Sequence, residues 1–190
     1  YIHCLAEIHD GRGSRTIRLE VPIDMRRHYM SETLRNFSLY LSPEIDLTQG
    51  EWSFDELVGE IHHRIGLLKN RRQLERQLHR NVGSELNPLI RFLPLFLKDL
   101  LLSMSYSILG EGLHSGVLSN LGRIDVPRAM AEHIQSLHMY IIPNHVMKKS
   151  CTVLSYKGFL NITFTGVIME TDLERLFFGK LARSGMDLTV

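Results

Sequence analysis

The sequence predicts a single α/β domain of the α+β sandwich kind, a mixed sheet covered by helices. Three observations predict it. Strand-like alternation marks runs in the first and last thirds of the chain, while the middle carries helical spacing. The element order reads strand, strand, two long helices, strand, strand, hairpin, helix. The 190 residues are 44% hydrophobic and 23% charged, enough apolar material for one sizeable core.

Each element has a local reason. Ile2, Leu5 and Ile8 are three apart, a helical stripe, and Asp10, Gly11, Arg12 and Gly13 read as a loop. The run 14–23 alternates, with Ile17, Leu19 and Val21 on one face and Arg18 and Glu20 on the other. The run 34–41 alternates likewise and stops at Ser42-Pro43. It sets Asn36, Ser38 and Tyr40 on one face and Arg35, Phe37, Leu39 and Leu41 on the other. Ser53 with Glu56 three residues on reads as a capping box. The helix it opens carries Leu57, Ile61, Ile65 and Leu68 and is expected to reach residue 80, with a break at 81–84.

Residues 86–109 are strongly apolar, but Arg91, Lys98 and Asp99 interrupt them and Pro94 would kink a helix. A membrane span needs about 20 largely uncharged apolar residues. A buried or groove-covering helix is therefore expected, and no integral membrane segment. Beyond Gly110 and Gly112 the pattern turns to strands at 115–120 and 135–142, then at 151–156 and 159–165 around a Lys157-Gly158 hairpin turn. Thr171 and Glu174 can cap a last helix with Leu173, Leu176, Phe177 and Leu181 inward. Ser184-Gly185 ends it, and 186–190 is expected to form a final strand.

Charge and cysteine content narrow the function classes. Twenty-two Lys and Arg oppose 21 Asp and Glu, a net charge of +1. That excludes disorder and gives no basic field for nucleic acid. Cys4 and Cys151 allow no disulfide framework and no CxxC metal pattern. They are expected as free thiols in a reducing compartment, hence a cytoplasmic protein. The sequons at Asn36 and Asn161 lie in strand-like runs, a poor setting for glycosylation. The chain opens without Met and without a signal-peptide pattern. A piece of a longer protein is expected.

Candidate chemistry is sparse. His62-His63 is a vicinal pair, but Leu67 stands where an HHxxxD motif needs Asp, and the pair lies within a predicted helix. Surface histidines are the expected reading. His62 and His63 with His79, or Cys4 with His3 and His9, could suggest a metal site, but His62 and His79 are 17 apart with no acidic ligand at suitable spacing, so no metal is expected. Residues 62–80 carry Arg64, Lys69, Arg71, Arg72, Arg76 and Arg80 against Glu75. Such a face is either solvated or a phosphate contact, with Arg71 and Arg72 the candidates. No Gly-rich phosphate loop and no Gly-x-Ser-x-Gly elbow occurs.

Three segments in order do carry a signal. Val21-Pro22-Ile23-Asp24-Met25-Arg26 resembles the "VPVDLR" strand end of the condensation and alcohol acetyltransferase-like family. The run 34–41 is similar to the "GNFxN"-type strand that follows it. Ser119-Asn120-Leu121-Gly122 resembles the "SNLG" motif of that family's bacterial branch. The closing stretch, 155–165 and then 174–178, fits the family's end.

The resemblance implies one lobe of a chloramphenicol acetyltransferase-like fold, specifically the C-terminal lobe, over residues 1–190. It implies acyl transfer from acetyl-CoA or another acyl thioester to a small alcohol or amine. A missing N-terminal lobe would supply HHxxxD and its basic His, since the motif is absent from this chain. The residues expected to face the tunnel are Ser119 and Asn120 first, then Asn36 and Ser38. Asp24 and Arg26 are expected to brace a loop as an ion pair, and Gly122 to serve a turn. Two other readings stand beside the enzyme lobe. One is a non-catalytic binding or oligomerisation module, with a possible homodimer through the face a second lobe would cover. The other is membrane-surface attachment through the basic and apolar helices together.

Overall fold

Strand β1 (Thr16–Asp24) organises the sheet, because neighbours pair on both its edges. The computed structural model describes residues 1–9, 16–88, 92–109, 114–143 and 147–189. On one edge β1 runs antiparallel to β2 (Ser38–Leu41) and β3 (Glu44–Asp46). On the other it is parallel to β4 (Gly116–Arg123). β4 is parallel to β5 (Lys149–Tyr156), and β5 forms an antiparallel hairpin with β6 (Phe159–Gly166). The result is a mixed six-stranded sheet in the order β2-β1-β4-β5-β6, with β3 beside β1.

Alternation gives the sheet two unlike faces. The first carries Ile17, Leu19, Leu118, Cys151 and Phe164. Helices α1 (Ile2–His9), α3 (Phe54–Leu68) and α7 (Asp172–Arg183) pack on it through Ile2, Leu5, Leu57 and Leu173. Ile17 and Ile45 are essentially solvent-free, and such burial stabilises by about 1.5–3 kcal/mol per side chain. A second cluster on the same side joins Leu39 and Leu41 of β2 to Leu74 of α4 (Arg71–Leu86) and to Met25. Met25 precedes the single turn α2 (Arg26–Tyr29). The opposite face is more polar, with Glu20, Ser119, Ser150 and Thr152 along its strands. An extended segment, 134–143, crosses it after the short helix α6 (Arg128–Ala131) and its closing turn.

The predicted α/β class is what the fold is, and the capping box forms. Ser53 Oγ accepts from the Glu56 N–H at 3.3 Å while Glu56 bonds back to the Ser53 N–H at 3.0 Å. Several elements differ from expectation. The middle helix does not run unbroken to residue 80; it stops at Leu68, and Asn70 caps α4 through a bond from the Arg72 N–H. α4 then passes through 81–84, the expected break, to Leu86. The predicted strand at 34–41 shrinks to Ser38–Leu41, because the Thr33 and Arg35 carbonyls are taken by the Arg26 guanidinium. Residues 135–142 are extended but form no strand. Their carbonyls bond to side chains instead, Met139 accepting from Thr152 Oγ1 and Ile141 from Thr165 Oγ1.

The apolar run 86–109 yields helix α5 (Leu95–Leu109), and Pro94 sits ahead of its first turn rather than within it. Of the buried or groove-covering helix expected here, the described side chains Leu95, Phe96, Leu100 and Met104 are exposed on α5 rather than buried. Among the described residues no helix is long and apolar enough to cross a membrane. Residues 186–189 form no strand. The expected loop at 10–13 lies outside the described residues.

Candidate functional site

β1, β4 and β5 are parallel, so their carboxyl ends lie at one end of the sheet. In open α/β sheets that end is where ligands bind. β1 and β4 pair at Leu19↔Gly116 and Glu20↔Val117, and their ladder ends there. Pro22 has no N–H to continue it. A cavity of about 250 Å³ opens at this point, lined by Glu20, Pro22, Val117 and Ser150 on the sheet and by Ile141 and Pro143 above. Ser150 is buried, and its Oγ has no hydrogen-bond partner among the described residues.

At the carboxyl end of β4 the chain bulges. Its register with β5 shifts between Asn120 and Gly122, leaving Leu121 unpaired. Gly122 has φ +71°, a conformation that favours glycine. Asn120 Oδ1 accepts the Gly122 N–H at 2.8 Å and closes the bulge as an Asx turn. The exposed Nδ2 amide is the donor Asn120 has left to offer a ligand. Ser119 goes the other way: it is buried on the polar face, opposite Thr152. The two neighbours thus face opposite sides of the sheet.

Asp24 ends β1 directly across from Ser38. Asp24 Oδ1 accepts both the Arg26 N–H and the Arg26 Nη1, each at 3.0 Å. The Arg26 backbone N–H, and then its guanidinium, hold the Asp24 carboxyl below the usual carboxylate range. Arg26 also ties down the loop ahead of β2, through Nε to the Thr33 carbonyl at 2.8 Å and Nη2 to that of Arg35. Ser38 Oγ donates to Asn36 Oδ1 at 2.7 Å, and both residues are exposed. Asp24, Arg26, Asn36 and Ser38 therefore form one polar cluster. It lies at the same end of the sheet as Asn120 and Gly122.

Beside that end a cleft of about 620 Å³ is lined by Arg123, Asp125, Ser155 and Lys157. Its cations are engaged. Arg123 pairs with Asp125 at 3.0 Å, and Lys157 Nζ donates to the Ala131 and Ile134 carbonyls at 2.7 and 2.8 Å. The phosphate candidates stand elsewhere. Arg71 pairs with Glu75 at 2.8 Å, and Arg71 and Arg72 are exposed on α4, whose inner face packs on β2. His62 and His63 are exposed on α3. No group of three His, Cys, Asp or Glu that could hold a metal occurs among the described residues.

Sequence reasoning missed one chemistry-bearing contact. Ser42 Oγ lies 2.9 Å from His114 Nε2, with the Tyr40 ring edge-on to the imidazole. The pair joins the β2–β3 corner to the segment ahead of β4. Seventy-two residues separate the partners in sequence, so no local pattern marks them.

No family model matches this chain, and no curated protein or solved structure matches it.

Proposed function

We propose that this chain is the C-terminal lobe of a thioester-dependent acyltransferase and forms one wall of an acyl-transfer tunnel. One observation carries the reading. Of the segments that resemble the alcohol acetyltransferase-like family, 21–26 leaves the end of strand β1 and 119–122 lies on β4, and these strands are adjacent and parallel. Ninety-odd residues apart in sequence, they reach the same end of the sheet, the end where open α/β sheets bind ligands.

The reaction class follows from the resemblance. A neutral His from an upstream lobe takes the proton of an alcohol or amine as that group attacks the thioester carbon. The thiolate leaves and is protonated. The acyl thioester is substrate in this scheme. This chain's part is to hold and polarise it: the Asn120 amide is placed to donate to the thioester oxygen as negative charge develops there. Asp24, Arg26, Asn36 and Ser38 shape the rim where the acceptor enters, and Gly122 sets the turn that presents Asn120.

The test is thiol release from acetyl-CoA in the presence of short alcohols, using the gene extended upstream by one domain length. Turnover that vanishes when the second His of an upstream HHxxxD is replaced supports the reading. Asn120→Ala in that protein is expected to lower the rate by about 100-fold, the size of a lost oxyanion donor. Absence of the motif upstream, or no thiol release, removes the catalytic reading.

A second reading has its own observation. Phe92, Leu95, Phe96, Leu100 and Met104 are all more than half exposed. An apolar surface of that kind fits a binding or assembly module of the same fold.

A further inference from the structure

Among the described residues, strand β6 is an unpaired sheet edge. It closes the order β2-β1-β4-β5-β6, and no strand pairs on its outer side among the described residues. Its pairing with β5 is regular from Lys149↔Gly166 to Tyr156↔Phe159, with no bulge. Phe159 to Gly166 contains no charged residue and no proline. Natural edge strands are normally blunted by a lysine, a proline, a bulge or a short length. β6 has none of these across eight residues.

The turn fixes which backbone groups are free. Lys157 (φ 49°) and Gly158 (φ 85°) make a two-residue hairpin loop with both φ values positive, the primed turn that suits strand twist. Tyr156 and Phe159 then form a hydrogen-bonded pair, and the pairs alternate along the ladder. Residues 161, 163 and 165 bond inward to β5. Residues 160, 162 and 164 aim their N–H and C=O groups off the sheet. Those same three residues carry the apolar side of β6. Phe164 packs against Tyr1, Phe177 and Phe178, while Leu160 is 60% exposed.

We propose that β6 pairs antiparallel with β6 of a second copy of this chain, joining the two sheets across a two-fold axis at Ile162. The strand is self-complementary in that register. Ile162 stands opposite its own copy, Leu160 opposite Phe164 of the partner subunit, and Asn161 opposite Thr163 of the partner subunit. Apolar meets apolar on the helix-covered face, and amide meets hydroxyl on the other. Because β6 carries no charge, pairing with itself brings no like charges together, as an isologous contact otherwise risks. The pairing covers the outward backbone groups of residues 160, 162 and 164 and much of Leu160. The inference stands apart from the acyltransferase reading, since no residue of the proposed tunnel takes part.

The experiment is the molar mass of this 190-residue chain by light scattering across a wide range of concentrations. A reversible dimer is expected. Leu160→Lys, at an exposed position, should raise its dissociation constant by about tenfold or more, whereas Met130→Lys on α6, equally open to solvent, should not. Ile162→Cys should cross-link to itself under mild oxidation, the native Cys4 and Cys151 being buried. A cross-link supports the register even where Leu160→Lys disturbs folding. A monomer at every concentration overturns the proposal. So does a dimer that ignores Leu160→Lys and yields no cross-link at 162, which would assign the contact to the apolar surface of α5.

Discussion

Lys149 on β5 and Glu174 on α7 form an ion pair with both side chains largely out of solvent, at 10% and 20% exposure. It clamps the last helix to the start of β5, beside the edge strand β6. The Tyr1 hydroxyl reaches the Lys149 carbonyl at 3.5 Å, so α1 meets the same point.

Breaking that pair from one side leaves a poorly solvated charge behind. Glu174→Ala is expected to cost about 2–3 kcal/mol, toward the lower end for a pair that keeps some solvent contact. The double variant Lys149→Met, Glu174→Leu should recover most of the loss. Urea titration of the three variants checks this; equal stability of single and double variants would contradict it.

Gly116 and Gly122, on the same strand, should respond differently to alanine. A Cβ at Gly116 would sit 2.9 Å from the Lys149 carbonyl and against the Tyr1 hydroxyl. One at Gly122 meets nothing within 4 Å, so the cost there comes from its φ of +71° alone. Gly122→Ala is expected to lose about 1 kcal/mol. Gly116→Ala should lose more, and thermal unfolding of the pair gives the order.

The Asp24–Arg26 link predicts an acid-sensitive loop. The Asp24 carboxyl is held below its usual range, so its contribution is present above the ordinary carboxylate value near 3.9 and is lost as pH falls through the depressed folded value. Hydrogen exchange at 33–37 should therefore accelerate below about pH 4. Asp24→Asn should show the faster exchange at neutral pH and no further acid step.

Burial disfavours both thiolates. The Cys151 thiol is pushed up to about 11, and that of Cys4 is raised as well, in each case mainly by desolvation. Iodoacetamide at pH 8 should leave the native chain unmodified over hours and label both positions once denaturant unfolds it. Rapid labelling of the native chain at either cysteine would contradict the buried placement.

Local chemistry made part of this protein legible. The capping box at Ser53 and Glu56 needs residues three apart, and the β5–β6 hairpin needs only Lys157-Gly158 between two alternating runs. The α/β class follows from such pieces taken in order. At the candidate site, Asp24 and Arg26 were readable as a brace because they are neighbours in sequence. Ser119 and Asn120 were readable as a motif but not as a divided pair. Alternation alone sends them to opposite faces, yet which face is covered depends on strands β1 and β5.

The sequence by itself therefore determined the α/β class, the start of α3 at its capping box and the β5–β6 turn, and that the chain lacks an HHxxxD motif. Tertiary structure alone decided the rest. Residues 135–142 have a strand's apolar pattern, but Thr152 and Thr165 take their carbonyls, so they become a strap over the sheet instead of a strand within it. The middle helix breaks at Asn70, where α3 and α4 pack against different strands, rather than at Gly83. Ser42 meets His114, and Lys149 meets Glu174, only because the sheet brings distant segments together. The physical reason is common to these cases. A side chain or carbonyl far away in sequence outbids the local partner, and a local pattern carries no record of that competitor.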